Sequence, residues 1–136
     1  MRLKNSLIIL ISFLCFGCNS NETEMTETEQ FLANKYNAER ISLDFKTVQT
    51  KTNGNITEDR KFISVEIKNP TDIEKIMSDN NYSDKRGLTI AKFVMDSIQF
   101  DEIPFQPKEL QIDFINRNEF FLLSSENKKT INYDLN

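Results

Sequence analysis

Residues 41–67, ISLDFKTVQTKTNGNITEDRKFISVEI, carry the pattern from which the fold is read. Ile41, Leu43 and Phe45 alternate with Ser42, Asp44 and Lys46, which puts the apolar side chains on one face of a strand and the polar ones on the other. Asn53-Gly54-Asn55 then supplies residues that accept the positive φ of a tight turn, and Ile63, Val65 and Ile67 resume the period of two. The segment reads as a β-hairpin with one buried face.

Working towards the C-terminus, Asn69-Pro70 breaks the strand and reads as a helix start, Asn as N-cap and Pro at the first helical position. Ile73, Ile76 and Met77 share one helical face, which Asn80-Asn81 ends. Ser83 reads as the cap of a second helix, in which Leu88, Ala91, Val94, Met95 and Ile98 recur at three-to-four spacing. Gly87 costs its first turns about 1 kcal/mol relative to Ala, which moves the expected start towards Leu88. Residues 101–108 contain Pro104 and Pro107 and read as irregular. Beyond them Leu110, Ile112 and Phe114 alternate, Asn116-Arg117-Asn118 reads as a turn, residues 120–123 form an apolar run, and Ile131, Tyr133 and Leu135 alternate again. This is the pattern of a three-stranded meander.

Towards the N-terminus, Met25, Leu32 and Tyr36 fit one face of a short helix over residues 27–38. The elements sum to α-ββ-αα-βββ. That order predicts a small single α+β domain with an antiparallel sheet of about five strands, helices mainly on one face, and a short helix in front.

The chain has 136 residues, 17 Lys+Arg, 21 Asp+Glu, no His and two Cys. Such a length holds one modest domain. Without histidine, most Ser/His and Cys/His nucleophile arrangements and the commonest transition-metal ligand are missing, leaving carboxylates, Lys and Tyr for acid/base chemistry. A net charge of -4 argues against a nucleic-acid partner, which calls for a concentrated positive face.

Residues 1–18, MRLKNSLIILISFLCFGC, begin with Arg2 and Lys4 and continue into an apolar run over residues 7–16. Ten residues of helix reach only about 15 Å, half of the roughly 30 Å hydrocarbon layer, so the run is too short for a stable span and fits the hydrophobic region of a signal peptide. The run ends at Gly17-Cys18, and there the sequence resembles the lipobox of bacterial lipoproteins. That resemblance implies cleavage before Cys18, a diacylglyceryl group on its thiol, and residence in the cell envelope, either on the outer face of an inner membrane or in an outer membrane. An ordinary secretory signal or a short uncleaved anchor are the other readings of the same residues. Cleavage at Cys18 would leave the mature chain one cysteine, which cannot close an internal disulfide, and two acyl chains suffice for stable membrane residence.

The expected organisation is a signal peptide over residues 1–17, a lipidated Cys18 with an acidic flexible tether over 18–30, and the α+β domain over 31–136. Glu22, Glu24, Glu27 and Glu29 make the tether acidic, so the remainder, with 15 cations and 17 anions, is nearly neutral. As a flexible coil the tether would hold the domain on the order of 20 Å from the bilayer.

Candidate sites in the domain are few. Glu58-Asp59 and Asp101-Glu102 pair carboxylates without a third partner, and read as solvated surface. Asp79, Asn81 and Ser83 start like a calcium loop, but Asp84 stands where Gly is needed and Ile90 where the bidentate Glu is needed, so no metal site is expected. Lys85-Arg86 and Lys128-Lys129 read as solubilising charge. The loop over residues 100–107 sets Phe100, Ile103 and Phe105 between prolines that stiffen it. It reads either as a partner contact or as a seal over one end of the core.

The expectation is a non-enzymatic envelope lipoprotein that binds or scaffolds another component, without a cofactor. Its partners would be the membrane, through acyl chains on Cys18, and another envelope protein. The alternative is an inhibitor or immunity-type protein that blocks an envelope toxin or hydrolase.

Overall fold

The computed structural model describes residues 23–135; the expected signal segment and Cys18 lie outside them. The elements are α1 (Glu27–Tyr36), β1 (Arg40–Thr52), β2 (Asn55–Lys68), α2 (Ile73–Ser78), α3 (Asn80–Ser97), β3 (Glu109–Phe120) and β4 (Leu123–Asp134). They form a small α+β domain around a four-stranded mixed sheet of order β1-β2-β3-β4.

The period of two does what it promised in the first hairpin. Ile41 stands opposite Ile67, Leu43 opposite Val65 and Phe45 opposite Ile63, with Asn53 and Gly54 at positive φ in the turn. The same rows continue across the sheet, Ile67 beside Phe114, Val65 beside Ile112 and Ile63 beside Leu110, and end on β4 with Ile131 and Tyr133. Against this face the helices set Leu32, Ala33 and Tyr36 of α1, Ile76 of α2, and Ile90, Ala91 and Val94 of α3. Full burial contributes about 1.5–3 kcal/mol for each large aliphatic or aromatic side chain, so this single layer of helix on sheet is the main source of stability.

Three expectations about the sheet need correction. It has four strands rather than about five, and it is not wholly antiparallel, because β2 and β3 pair in parallel at its centre. Two helices lie between those strands, and a crossover of that length returns the chain to run in the same direction. The three-stranded meander at the C-terminus is a single long hairpin. Asn116, Arg117 and Asn118 lie inside β3, paired with Asn127, Glu126 and Ser125, and the apolar run over residues 120–123 holds the last strand pair, Phe120 with Leu123, and the turn between them, with Phe121 at φ 57°.

Helix boundaries also differ. The tether expected to reach residue 30 gives way before that: Thr26 caps α1 through a capping box with Glu29, and Glu29 is buried. Asn69 is not a helix cap. It takes φ 47°, and its side-chain amide both accepts from the Arg117 N–H at 2.8 Å and donates to the Arg117 carbonyl at 2.9 Å. In this way Asn69 stands in for one more strand residue as β2 ends, and the next helix begins only at Ile73. For α3 the cap is Asp79, which accepts from the Tyr82 N–H, rather than Ser83.

Gly87 therefore lies well inside α3, where a Cβ would stand 2.5 Å from the Tyr133 hydroxyl and 3.2 Å from Ile131 Cδ1. The glycine is there because α3 runs tight against β4 at that point.

Because β2 and β3 are parallel, the two hairpins overhang the shared sheet at opposite ends. The β1–β2 arm runs past Lys46 and Phe62 to the turn at Asn53 and Gly54. The β3–β4 arm runs past the row Arg40, Lys68, Ile115 and Lys128 to the turn after Phe120.

Candidate functional site

Among the described residues two apolar surfaces stand out, and both belong to connections rather than to the packed layers. The first is the loop after α3. Phe100 and Phe105 both pack on Phe45, with ring centroids 5.1 and 5.6 Å away and both contacts edge-on. This geometry suits aromatic quadrupoles and seals the end of the core between β1 and the loop. Pro107 is buried and also lines the groove beside this cluster. Ile103 is 61% exposed and, with Phe45, Met95, Ile98 and Phe100, lines an open groove of about 540 Å³. The structure thus brings Phe100 and Phe105 together on Phe45 and leaves Ile103 facing out at the groove edge.

The second surface is the tip of the β3–β4 arm. Phe120, Phe121, Leu122 and Leu123 are 81%, 95%, 84% and 76% exposed. Phe120 and Leu123 are the last paired residues of the arm, and Phe121 and Leu122 form the turn between them. Turns are normally polar, and a run of four exposed apolar residues is unfavourable in water unless something covers it. The reading of the sequence missed this site because a continuous apolar run also fits a buried strand. The signal that separates the two is the flank: Asn118 and Glu119 on one side and Ser124-Ser125 on the other leave no alternating apolar residue to continue a buried face.

The sheet face away from the helices is polar and largely self-satisfied. Asp113, almost fully buried, accepts from Gln111 Nε2 at 3.0 Å and from the Thr130 hydroxyl, with Lys128 Nζ at 3.6 Å. Arg60 bonds Glu109 at 2.8 Å and lies over the Phe62 ring, 4.7 Å from its centroid. Where this face meets the base of the β3–β4 arm, a groove of about 330 Å³ is lined by Thr23, Arg40, Glu66, Lys68, Arg117 and Glu126 among others. The Arg40 guanidinium donates to the Thr23 carbonyl, so the start of the described chain is held at that end of the sheet.

Of the basic pairs expected to be solubilising charge, Lys85 is exposed, whereas Arg86, Lys128 and Lys129 have partners. Arg86 donates to the Tyr36 carbonyl at 3.1 Å and approaches Asp72 at 3.1 Å, linking α3 to both other helices. Lys129 donates to the Ile76 carbonyl at 2.7 Å. The carboxylate pairs serve no shared site: Glu58 lies beside Arg60 on the β1–β2 arm, and Asp101 and Glu102 are exposed.

No group of three or more His, Cys, Asp or Glu that could hold a metal is found among the described residues. The tyrosines are all shifted towards their neutral form. Burial raises Tyr36 and pushes Tyr133 up to about 12, while the bond to Asp72 raises Tyr82. Such phenols hold their protons at neutral pH. No family model, curated protein or solved structure matches the chain.

Proposed function

We propose that the chain is a cell-envelope lipoprotein, held on a bilayer by acyl chains on Cys18, whose α+β domain binds or scaffolds another envelope component without catalysing a reaction. The observation that carries this reading is the short apolar run over residues 7–16 that ends at Gly17-Cys18 after a cationic start. It is supported by cysteine usage, since Cys15 would leave with the signal segment and Cys18 would be the sole thiol of the mature chain. Among the described residues no helix is long and apolar enough to cross a membrane. The contact with a protein partner is assigned to the groove lined by Ile103, Phe100 and Phe45, with Phe105 supporting Phe45 edge-on.

Metabolic labelling with a palmitate analogue tests the anchor: label on the wild-type chain and none on Cys18→Ser is expected, and equal labelling of both would reject it. A second reading, an inhibitor or immunity-type protein, draws on the same groove, because a stiff loop with one exposed apolar residue loses little entropy on docking. A tight stoichiometric complex with an envelope hydrolase, lost in Ile103→Asp, would favour it.

A further inference from the structure

We infer that the tip of the β3–β4 arm, Phe120, Phe121, Leu122 and Leu123, is a second membrane contact that enters the same bilayer as the acyl chains. This rests on the lipoprotein reading and extends it from where the chain is tethered to how the domain is oriented.

The argument starts from where the described chain begins. Thr23 is bonded by Arg40 and shares a groove with Arg117 and Glu126, which are paired with each other near the base of the arm. Five peptide steps separate Thr23 from Cys18, and a chain of that length spans at most ~17 Å. An acylated sulfur sits at the bilayer surface, so that surface passes within ~17 Å of Thr23. From Arg117 to Phe121 the arm itself advances four residues, ~13 Å at strand rise. The arm's length falls within the reach of that segment, so a bilayer holding the acyl chains on this side of the domain lies where the apolar tip can meet it. The other arm cannot do this. Its turn lies 13 residues along β1 from Arg40, ~40 Å away towards the opposite end of the sheet.

The shape of the tip favours lipid over a second copy or a protein groove. It is the end of a hairpin whose four large apolar side chains are all at least three-quarters exposed, backed by Asn118, Ser124 and Ser125 and by Glu119, which is paired with Arg117. A fluid interface accepts such a wedge without a complementary cavity, and the ladder below the turn satisfies most of the backbone groups that would be carried into it.

The chain contains no tryptophan, so a single indole reports on one place. The experiment uses the full chain carrying Leu122→Trp, taken from membranes with its native acylation and reconstituted into phosphatidylethanolamine–phosphatidylglycerol vesicles with brominated acyl chains. Ile56→Trp, on the other arm, is the comparison. At position 122 blue-shifted emission and loss of most intensity to bromine quenching are expected; at position 56, water-like unquenched emission. An acylated chain whose position-122 indole emits as in water overturns the tip inference and leaves the anchor standing. Blue-shifted but unquenched emission also overturns it, in favour of a protein neighbour or a second copy. Quenching at position 122 in a chain that carries no acyl label would overturn the anchoring reading and keep the lipid contact. Equal quenching at positions 56 and 122 would overturn the orientation.

Discussion

Glu29 shows how much one side chain changes the account of the N-terminal region. Its carboxylate accepts from the Thr26 N–H at 2.7 Å, closing the capping box, and through its other oxygen from the Leu43 N–H at 2.9 Å. β1 is an edge strand, so Leu43 would otherwise present an unpaired donor, and Glu29 covers it while fixing α1 to the sheet. Glu29→Ala leaves the Thr26 cap but loses the reciprocal half of the box and orphans the Leu43 donor, and is expected to cost about 2 kcal/mol in urea denaturation, with Glu29→Gln costing less because one acceptor oxygen remains. Composition alone assigned Glu29 to a solvated tether. The pattern Thr26-Glu27-Thr28-Glu29, a threonine followed three residues later by glutamate, held the contrary signal.

Gly87 was misread for a related reason: helix propensity is a local quantity, and the need for glycine here comes from β4. Gly87→Ala gains about 1 kcal/mol of intrinsic propensity, but it must displace the Tyr133 hydroxyl, and overpacking typically costs about 1–3 kcal/mol. A net loss of stability on thermal unfolding is expected; a more stable variant would contradict the packing described. Tyr133 itself, held up to about 12 by burial against an ordinary value of 10.0, stays protonated in the folded state where the unfolded chain ionises. Its contribution is constant below pH 10 and is lost as pH rises from 10 through 12. Tyr133→Phe is expected to flatten that part of the stability profile.

At the scale of elements, the first hairpin, the helix over 27–38 and the apolar face of α3 were legible because each is a local pattern with its own punctuation. The parallel pairing of β2 with β3 was not, since alternation tells which face is buried and says nothing about which neighbour a strand takes. The C-terminal hairpin was misjudged because Asn116-Arg117-Asn118 has turn composition, yet Arg117 is paired on both sides, with Glu126 on β4 and with the amide of Asn69. Asn69→Ala removes both of those bonds and leaves a β-carbon residue at positive φ. It is expected to cost about 2 kcal/mol and to speed hydrogen exchange at the Arg117 amide. The groove at Ile103 was partly legible from the prolines around it. The exposed tip was not, because its four apolar residues look like core until the strands on either side are placed.

Over the whole molecule, one sheet carries two overhanging arms of opposite character. The β1–β2 arm is charged and polar, and the β3–β4 arm ends in apolar side chains whose burial is worth about 1.5–3 kcal/mol each when complete. Replacing Phe121 and Leu122 together by Ser should change folding stability by less than about 0.5 kcal/mol, because neither packs on the core, while reducing self-association of the lipid-free chain in light scattering. The account of the molecule as a membrane-held module depends on what happens at position 18. Intact mass measurement of the mature protein extracted from membranes tests that most directly: a chain starting at Cys18 and heavier by a diacylglyceryl group, with or without a further acyl chain, is expected. A mature chain that starts elsewhere, or one whose cysteine is unmodified, would contradict the account.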